Sequence, residues 1–318
     1  MNFGELKQLT RVIAQDTGTH VLWKDEEISQ ALNEGYFEAC RNAKLLKTSS
    51  LSFGETRSKS EISIFGTYGI LSSLLVSNIN IISNPVTYTS NDITTASLLA
   101  NEINDTGYFE AILNNNIISL YPLPGNGTLF NNVMPIFTFT NSFATATQFS
   151  GGVDGICRIQ LKPGVREYKF SDKILKIEDM YLGDNQKKLC KHDFQLLSDS
   201  HRKMSMERGD VSSILYGMST NSFYAAKIPN IKDYINMTVF HLPLNALKLN
   251  SDIPVIQEQY HSKLIHYALY KLYQKNDIEA EQLDISSFHF GKFTEEFGDN
   301  QFAAASNQTT NLRFFFGD

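Results

Sequence analysis

The residues of this chain best suited to proton transfer or metal binding are its seven histidines, and their spacing argues against both roles. His192 stands beside Asp193 and His289 stands among phenylalanines. Neither belongs to an H-x-x-x-H or H-E-x-x-H pattern, which would put two ligands on one helical face. His261 and His266 share a helix-forming stretch but lie five residues apart. That is about 140 degrees around a helix, so they do not converge on one ion. Cys40, Cys157 and Cys190 show no C-x-x-C spacing, which argues against a zinc knuckle or a disulfide framework. Gly125-Asn126-Gly127 and Gly151-Gly152 are not followed by a helix start and a Walker-type lysine, so they read as tight turns rather than phosphate loops. No acid pair of the kind a glycan-cleaving groove needs stands out. The sequence therefore predicts no enzyme, no cofactor and no metal, and a protein that works through its surfaces.

Two segments are candidates for such surfaces. The stretch "HRKMSMERGD", residues 201 to 210, places Arg202, Lys203 and Arg208 in a polar loop that is either simply solvated or turned toward DNA or an acidic partner. The C-terminal tract is polar until Leu312-Arg313-Phe314-Phe315-Phe316. Burying each phenylalanine is worth roughly 1.5 to 3 kcal/mol, so these five residues are expected either to fold back on their own chain or to dock on a neighbour. The net charge of -6 offers no basic surface for holding nucleic acid and would suit a wall that DNA must pass without sticking. With no run of eighteen apolar residues and no basic, apolar leader at its start, the chain is expected to be neither exported by the usual route nor membrane-spanning.

The elements that must position these residues fall into three zones by apolar period. Residues 1 to 47 read as a helix pair, with Phe3, Leu6 and Ile13 on one stripe. Asp25 is the expected N-cap of the second helix, which carries Ile28, Leu32, Tyr36, Ala39 and Ala43. Residues 48 to 250 are short β-branched and aromatic runs cut by Gly, Asn and Pro. Within them, 60 to 155 reads as a small α+β unit around one helix opened by Asn91-Asp92 and closed near Gly107. Residues 156 to 250 read as a β subdomain, opening on a hairpin that pairs Ile159 and Leu161 with Tyr168 and Phe170 across Pro163-Gly164. Residues 251 to 298 return to helix: Asp252 is expected to cap the opening helix with Pro254 in its first turn, "EQYHSKLIHYALYKLYQKND" (258 to 277) reads as one helix, and a last helix, starting near Asp277, carries Leu283, Phe290, Phe293 and Phe297 before Gly298. Residues 299 to 318 form an extended arm. Isolated helix pairs would each leave an apolar stripe half exposed, so the two pairs are expected to meet in one four-helix bundle. The fold class is α+β, with the β-rich region inserted between helices two and three.

In this order the segments resemble the head-to-tail adaptor, or neck ring, proteins of short-tailed bacteriophages. "VLWKDEEISQALNEGYFEACRNAKLL" is similar to that family's second helix, "LKPGVREYKFSDKILKIEDMYLGDNQKKL" to its hairpin and following strand, and "DIPVIQEQYHSKLIHYALYKLYQKNDIEAEQLDISSFHFGKFTEEF" to its closing helix pair. "ISNPVTYTSNDITTASLLANEINDTGYFEAILNNNIISLYPLPGNGTLFN" through "FSGGVDG" resembles a small insertion domain of phage virion proteins. The insertion is longer here than in simple adaptors, and nothing about the tail carries over.

The resemblance implies a homo-oligomeric ring, commonly twelvefold, that is assembled in the host cytoplasm and sits at the head-to-tail junction of the virion. Its partners would be copies of itself, the portal protein, and tail or nozzle proteins. DNA would pass through its channel without sequence-specific binding, and no membrane would be involved. In that setting Leu312, Arg313, Phe314, Phe315, Phe316, Arg202, Lys203 and Arg208 are the residues expected to touch portal or a neighbouring subunit. The rival readings are another neck or tail ring, such as a stopper or nozzle component, and a glycan-binding tail protein.

Overall fold

The first helix starts where local chemistry says it should. Asn2 Oδ1 accepts the Glu5 amide at 2.8 Å and the Glu5 carboxylate takes the Asn2 amide at 2.8 Å, a reciprocal cap that satisfies two otherwise orphaned donors. The computed structural model describes residues 1–17, 22–89, 91–183, 187–193, 207–216, 221–275 and 282–298. Among them lie five α-helices, α1 (Phe3–Ile13), α2 (Asp25–Ala43), α3 (Asp92–Thr106), α4 (Leu264–Leu272) and α5 (Leu283–Phe297), together with several antiparallel sheets. The chain is therefore mixed α+β. It divides into two units.

The first unit comprises Met1–Thr48, Asp172–Glu178 and the chain from Val239 onward. α2 is capped one residue earlier than the sequence suggests: Lys24 is the N-cap, and Asp25, Glu26 and Glu27 fill a first turn where the helix dipole favours carboxylates. The Glu27 carboxylate reaches back to the Lys24 amide at 3.0 Å. One core joins Phe3 and Leu6 of α1, Trp23 from the turn before α2, Ile28, Leu32 and Tyr36 of α2, Leu264, Ile265, Leu269 and Leu272 of α4, and Phe293 and Phe297 of α5. Gly35 lets α2 approach α4 closely, because a Cβ there would lie 2.9 Å from Tyr267 Cβ. At the α1–α2 corner, Arg11 donates to Asp16 at 2.7 Å, to Asp25 at 2.6 Å and to the Trp23 carbonyl at 3.0 Å.

The closing helices depart from the sequence reading. No helix opens at Asp252, and residues 258 to 263 form a single 3₁₀ turn, Glu258–Tyr260, before α4. The reason is competition for hydrogen bonds. The Asp252 carboxylate accepts the amides of Lys248 and Leu249 at 2.7 and 2.8 Å, so it caps the turn behind it. The Val255 amide goes to the Tyr36 hydroxyl at 2.9 Å, and the Ile256 carbonyl to His261 Nε2 at 2.9 Å. Gly298 closes α5 as the sequence indicates. The buried row of α5 is Ser286, His289, Phe293 and Phe297. Leu283 and Phe290, expected on that row, lie at its edge and stay 59% and 42% exposed.

The second unit comprises Ser49–Ser171 and Asp179–Thr238. Asn91 caps α3 by accepting the Thr94 amide at 2.8 Å, and Gly107 ends it in the left-handed region at φ 68°. The α3 stripe of Ala96, Leu99, Ala100 and Ile103 shares a core with Ile62, Ile64, Leu71, Leu74, Ile118, Leu120, Phe143 and Phe149. Two four-stranded antiparallel sheets supply that core. One runs Phe109–Asn114, Ile117–Pro122, Ser60–Ile64, Ala144–Ala146, and the other pairs Ile79–Asn80, Val86–Thr87 and Ile136–Phe139 with Ile70–Val76. A third sheet orders Glu167–Lys169, Ser222–Ala225, Ser213–Tyr216 and Cys190–Asp193, its last pair parallel.

The expected hairpin across Pro163-Gly164 is not formed. Ile159 pairs with Ile235 and Tyr168 with Phe223, so the two strands enter different sheets. The turn itself exists: Val165 donates to the Lys162 carbonyl at 3.1 Å, with Gly164 at φ 78°. The Tyr168 hydroxyl then donates to the carbonyl of Val165 at 2.8 Å, tying the turn down without a ladder. The strands Ile174–Leu182 and Asp233–His241 carry the chain from one unit to the other.

Candidate functional site

Of the residues the sequence marks for interaction, Arg202, Lys203, Leu312, Arg313, Phe314, Phe315 and Phe316 lie outside the described residues. Arg208 is described and exposed. It forms a parallel bridge with Ile228, flanked by hydrogen bonds from Ile228 N to the Glu207 carbonyl (2.9 Å) and from Gly209 N to the Ile228 carbonyl (3.0 Å). Its backbone is thus pinned to the second unit while its guanidinium faces solvent.

The thiols and histidines have local roles. Burial pushes the Cys40 thiol up to about 12 and the Cys157 thiol up to about 11, so neither forms a nucleophilic thiolate near neutral pH. His261 and His266 do not meet, though not for the expected reason: His261 ends the 3₁₀ turn before α4 and does not share a helix with His266. His261 Nδ1 lies 3.1 Å from the Met1 amino group, and His266 Nδ1 lies 3.0 Å from His289 Nδ1. This second pair is absent from the sequence reading, because its members are 23 residues apart on different helices. Their ring centroids are 5.2 Å apart and their planes 28° apart. That separation is close to the Nδ1···Nδ1 distance plus the two ring radii, so the rings meet end to end. Such a contact needs one ring to donate Nδ1–H into the Nδ1 lone pair of the other, so the accepting ring must be neutral. Burial lowers both histidines below the usual range; Lys263 and Lys292 add to this for His266, and His266 adds to it for His289. Among the described residues no group of three His, Cys, Asp or Glu could hold a metal ion.

A second arrangement missed by the sequence reading is a polar cleft of about 590 Å³ in the second unit. Arg158, Ile159, Gln160 and Lys162 line it from the strand Arg158–Leu161 and the residue after it, joined by Lys169, Lys232, Thr128, Asn131 and Asp154. The Arg158 guanidinium sits 4.0 Å from the centre of the Tyr234 ring and also donates to the Gly125 carbonyl, while its buried Nε has no hydrogen-bond partner among the described residues. Gln160 donates to the Tyr234 hydroxyl at 3.0 Å. Lys162, Lys169 and Lys232 are exposed, and no ion pair holds them among the described residues. Asp154 is the one carboxylate in the lining, and it accepts the Thr128 amide at 2.9 Å and hydroxyl at 2.8 Å. The two glycine motifs meet beside this cleft: Asn131 clamps Gly152 through both its amide and carbonyl, and a Cβ on Gly127 or Gly152 would overlap the other segment's backbone. They serve close packing. The cleft can attract and order anions, with four cations against one occupied carboxylate.

No protein-family model matches the chain, and no curated protein is significantly similar to it.

Proposed function

We propose that this chain is a structural virion protein, a head-to-tail adaptor that forms a ring between portal and tail and lines the channel through which the genome leaves. The observation that carries the reading is the single core built from both ends of the chain, in which Trp23, Ile28 and Leu32 pack with Leu264, Leu269 and Phe293 while the β-rich middle is looped out in sequence. Two of the segments that resemble the adaptor family, residues 21 to 46 and 252 to 297, supply most of this core. On this reading α1, α2, α4 and α5 are the four-helix bundle of the ring wall, and residues 60 to 155 are an inserted domain. Identical walls meeting through heterologous contacts close into a ring when the rotation between copies divides a circle evenly. The portal-facing residues remain Arg208 with Arg202 and Lys203, and the arm ending in Phe314, Phe315 and Phe316.

The test is a mass measurement of the purified chain, alone and mixed with the portal protein of the same virion, by native mass spectrometry and negative-stain imaging. A ring on the portal is the expected outcome, weakened when residues 299 to 318 are deleted from an otherwise folded chain. A monomer that ignores portal and hydrolyses glycan would reverse the assignment.

A further inference from the structure

We infer that the cleft beside the strand Arg158–Leu161 is a docking site for an extended acidic peptide segment of a partner protein. This goes beyond the ring reading and stands without it. The first argument is geometric. The strand pairs on one side with Asp233–His241, and among the described residues it has no strand partner on the other. Successive side chains of a strand point to opposite faces, yet Arg158, Ile159 and Gln160 all line the cleft. A cleft touched from both faces runs along the strand's edge.

Backbone direction agrees. Met237 N donates to the Cys157 carbonyl at 2.8 Å, which makes 157, 159 and 161 the positions bonded to the Asp233–His241 strand. The amide and carbonyl of Gln160 therefore face the cleft. Of the flanking edge groups, the Arg158 amide goes to the Gly155 carbonyl at 3.1 Å and both main-chain groups of Lys162 go to the Tyr168 hydroxyl at 3.1 Å, so Gln160 is the position that offers its amide and carbonyl to an incoming main chain, as in a short strand addition.

Charge then selects the sequence of the incoming strand. Arg158 and Lys162 stand four residues apart, with Lys169 and Lys232 nearby, and the carboxylate of Asp154 is already engaged by Thr128. Arg158 and Lys162 lie about 13 Å apart along the strand and alternate residues of an extended peptide about 7 Å apart, so a peptide with acids at every second position can set two of them against this pair at once. The cleft volume of about 590 Å³ lies within the roughly 300–1,000 Å³ of ordinary ligand sites. A phosphate ligand is disfavoured because the glycine turns beside the cleft are consumed in packing and lead into no helix N-terminus.

The experiment is fluorescence anisotropy on the full chain with a labelled Thr-Glu-Thr-Glu-Thr-Glu peptide. Binding that weakens roughly tenfold or more with the Gln-for-Glu peptide, and as salt rises from about 0.05 to about 0.3 M, is expected. A similar loss is expected for a Lys162→Gln/Lys232→Gln variant, whose surface substitutions leave the circular dichroism spectrum unchanged. A peptide N-methylated at alternate residues should also lose binding. Equal affinity for the neutral peptide, full affinity in the lysine variant, or undiminished binding of the N-methylated peptide would each overturn the inference. So would binding of inorganic pyrophosphate without binding of peptide.

Discussion

Replacing Gly35 by alanine sets two effects of known sign against each other. In an ordinary helix interior the change stabilises by about 1 kcal/mol, because glycine has more backbone freedom to lose. Gly35 is buried in α2, and its new Cβ would lie 2.9 Å from Tyr267 Cβ and 3.2 Å from both Cγ and Cδ1. Tyr267 Cβ is fixed to the backbone of α4 and cannot rotate away, so the two helices must part by several tenths of an ångström and loosen the contacts around Tyr36 and Ala268. Overpacking of this kind costs about 1–3 kcal/mol, which outweighs the propensity gain. Gly35→Ala should thus destabilise the first unit by up to about 2 kcal/mol. Gly291→Ala is the control: it is exposed on α5 with no heavy atom within 4 Å, and it should stabilise by about 0.5–1 kcal/mol. The readout is urea unfolding followed by the fluorescence of Trp23, the chain's single tryptophan, which is 1% exposed and packed edge-on against Tyr273 in this core. If Gly35→Ala moves the midpoint upward as Gly291→Ala does, the close approach of α2 and α4 is wrong.

Three further outcomes test the same unit by the same readout. Leu269→Ala removes a fully buried side chain and should cost about 3 kcal/mol, and a loss under about 1 kcal/mol would mean the site is solvated. Arg11→Gln strips charged partners from Asp16 and Asp25 and should cost about 2 kcal/mol. In that variant the Asp25 carboxyl, which the Arg11 hydrogen bond holds below its usual range, should titrate at higher pH by carboxyl NMR. The stability this carboxylate contributes is present above its unfolded pKa and is lost as pH falls through the folded one, so the acid-side slope should flatten in Arg11→Gln. For His266 and His289 the folded values lie below the unfolded one of about 6.5, so the unfolded chain takes up protons first and stability falls as pH drops below about 6.5. The urea midpoint should fall between pH 7.5 and pH 5, and His289→Phe should reduce that fall; an unchanged slope would show the pair is not linked to folding.

The same contrast explains what could be read along the chain. The stripes of α2 and α4 are legible because helical packing repeats every three to four residues, and Ile28, Leu32, Tyr36 and Leu264, Ala268, Leu272 carry that repeat openly. The α5 stripe is legible only at Phe293 and Phe297, because its other two buried members, Ser286 and His289, are polar. Ser286 is accommodated by donating to the Tyr270 carbonyl at 3.0 Å, and His289 by bonding to His266. Both partners lie on α4, and no period within α5 announces them.

What the sequence determines by itself is whatever is decided within one turn of backbone. Asn2 with Glu5, Asn91 with Thr94, and Gly107 and Gly298 each satisfy a helix end through a partner no more than four residues away. Tertiary structure decides everything in which a group chooses among distant partners. Pro163-Gly164 supplies a turn, yet Ile159 pairs with Ile235 and Tyr168 with Phe223; the Val255 amide, which a cap at Asp252 would have taken, goes instead to the Tyr36 hydroxyl on α2. The cationic cleft exists only because residues from 128, 154, 158 to 162, 169 and 232 are brought together. A hydrogen bond or an ion pair is governed by distance in space, and chain spacing measures that distance only while the chain has not yet turned back on itself.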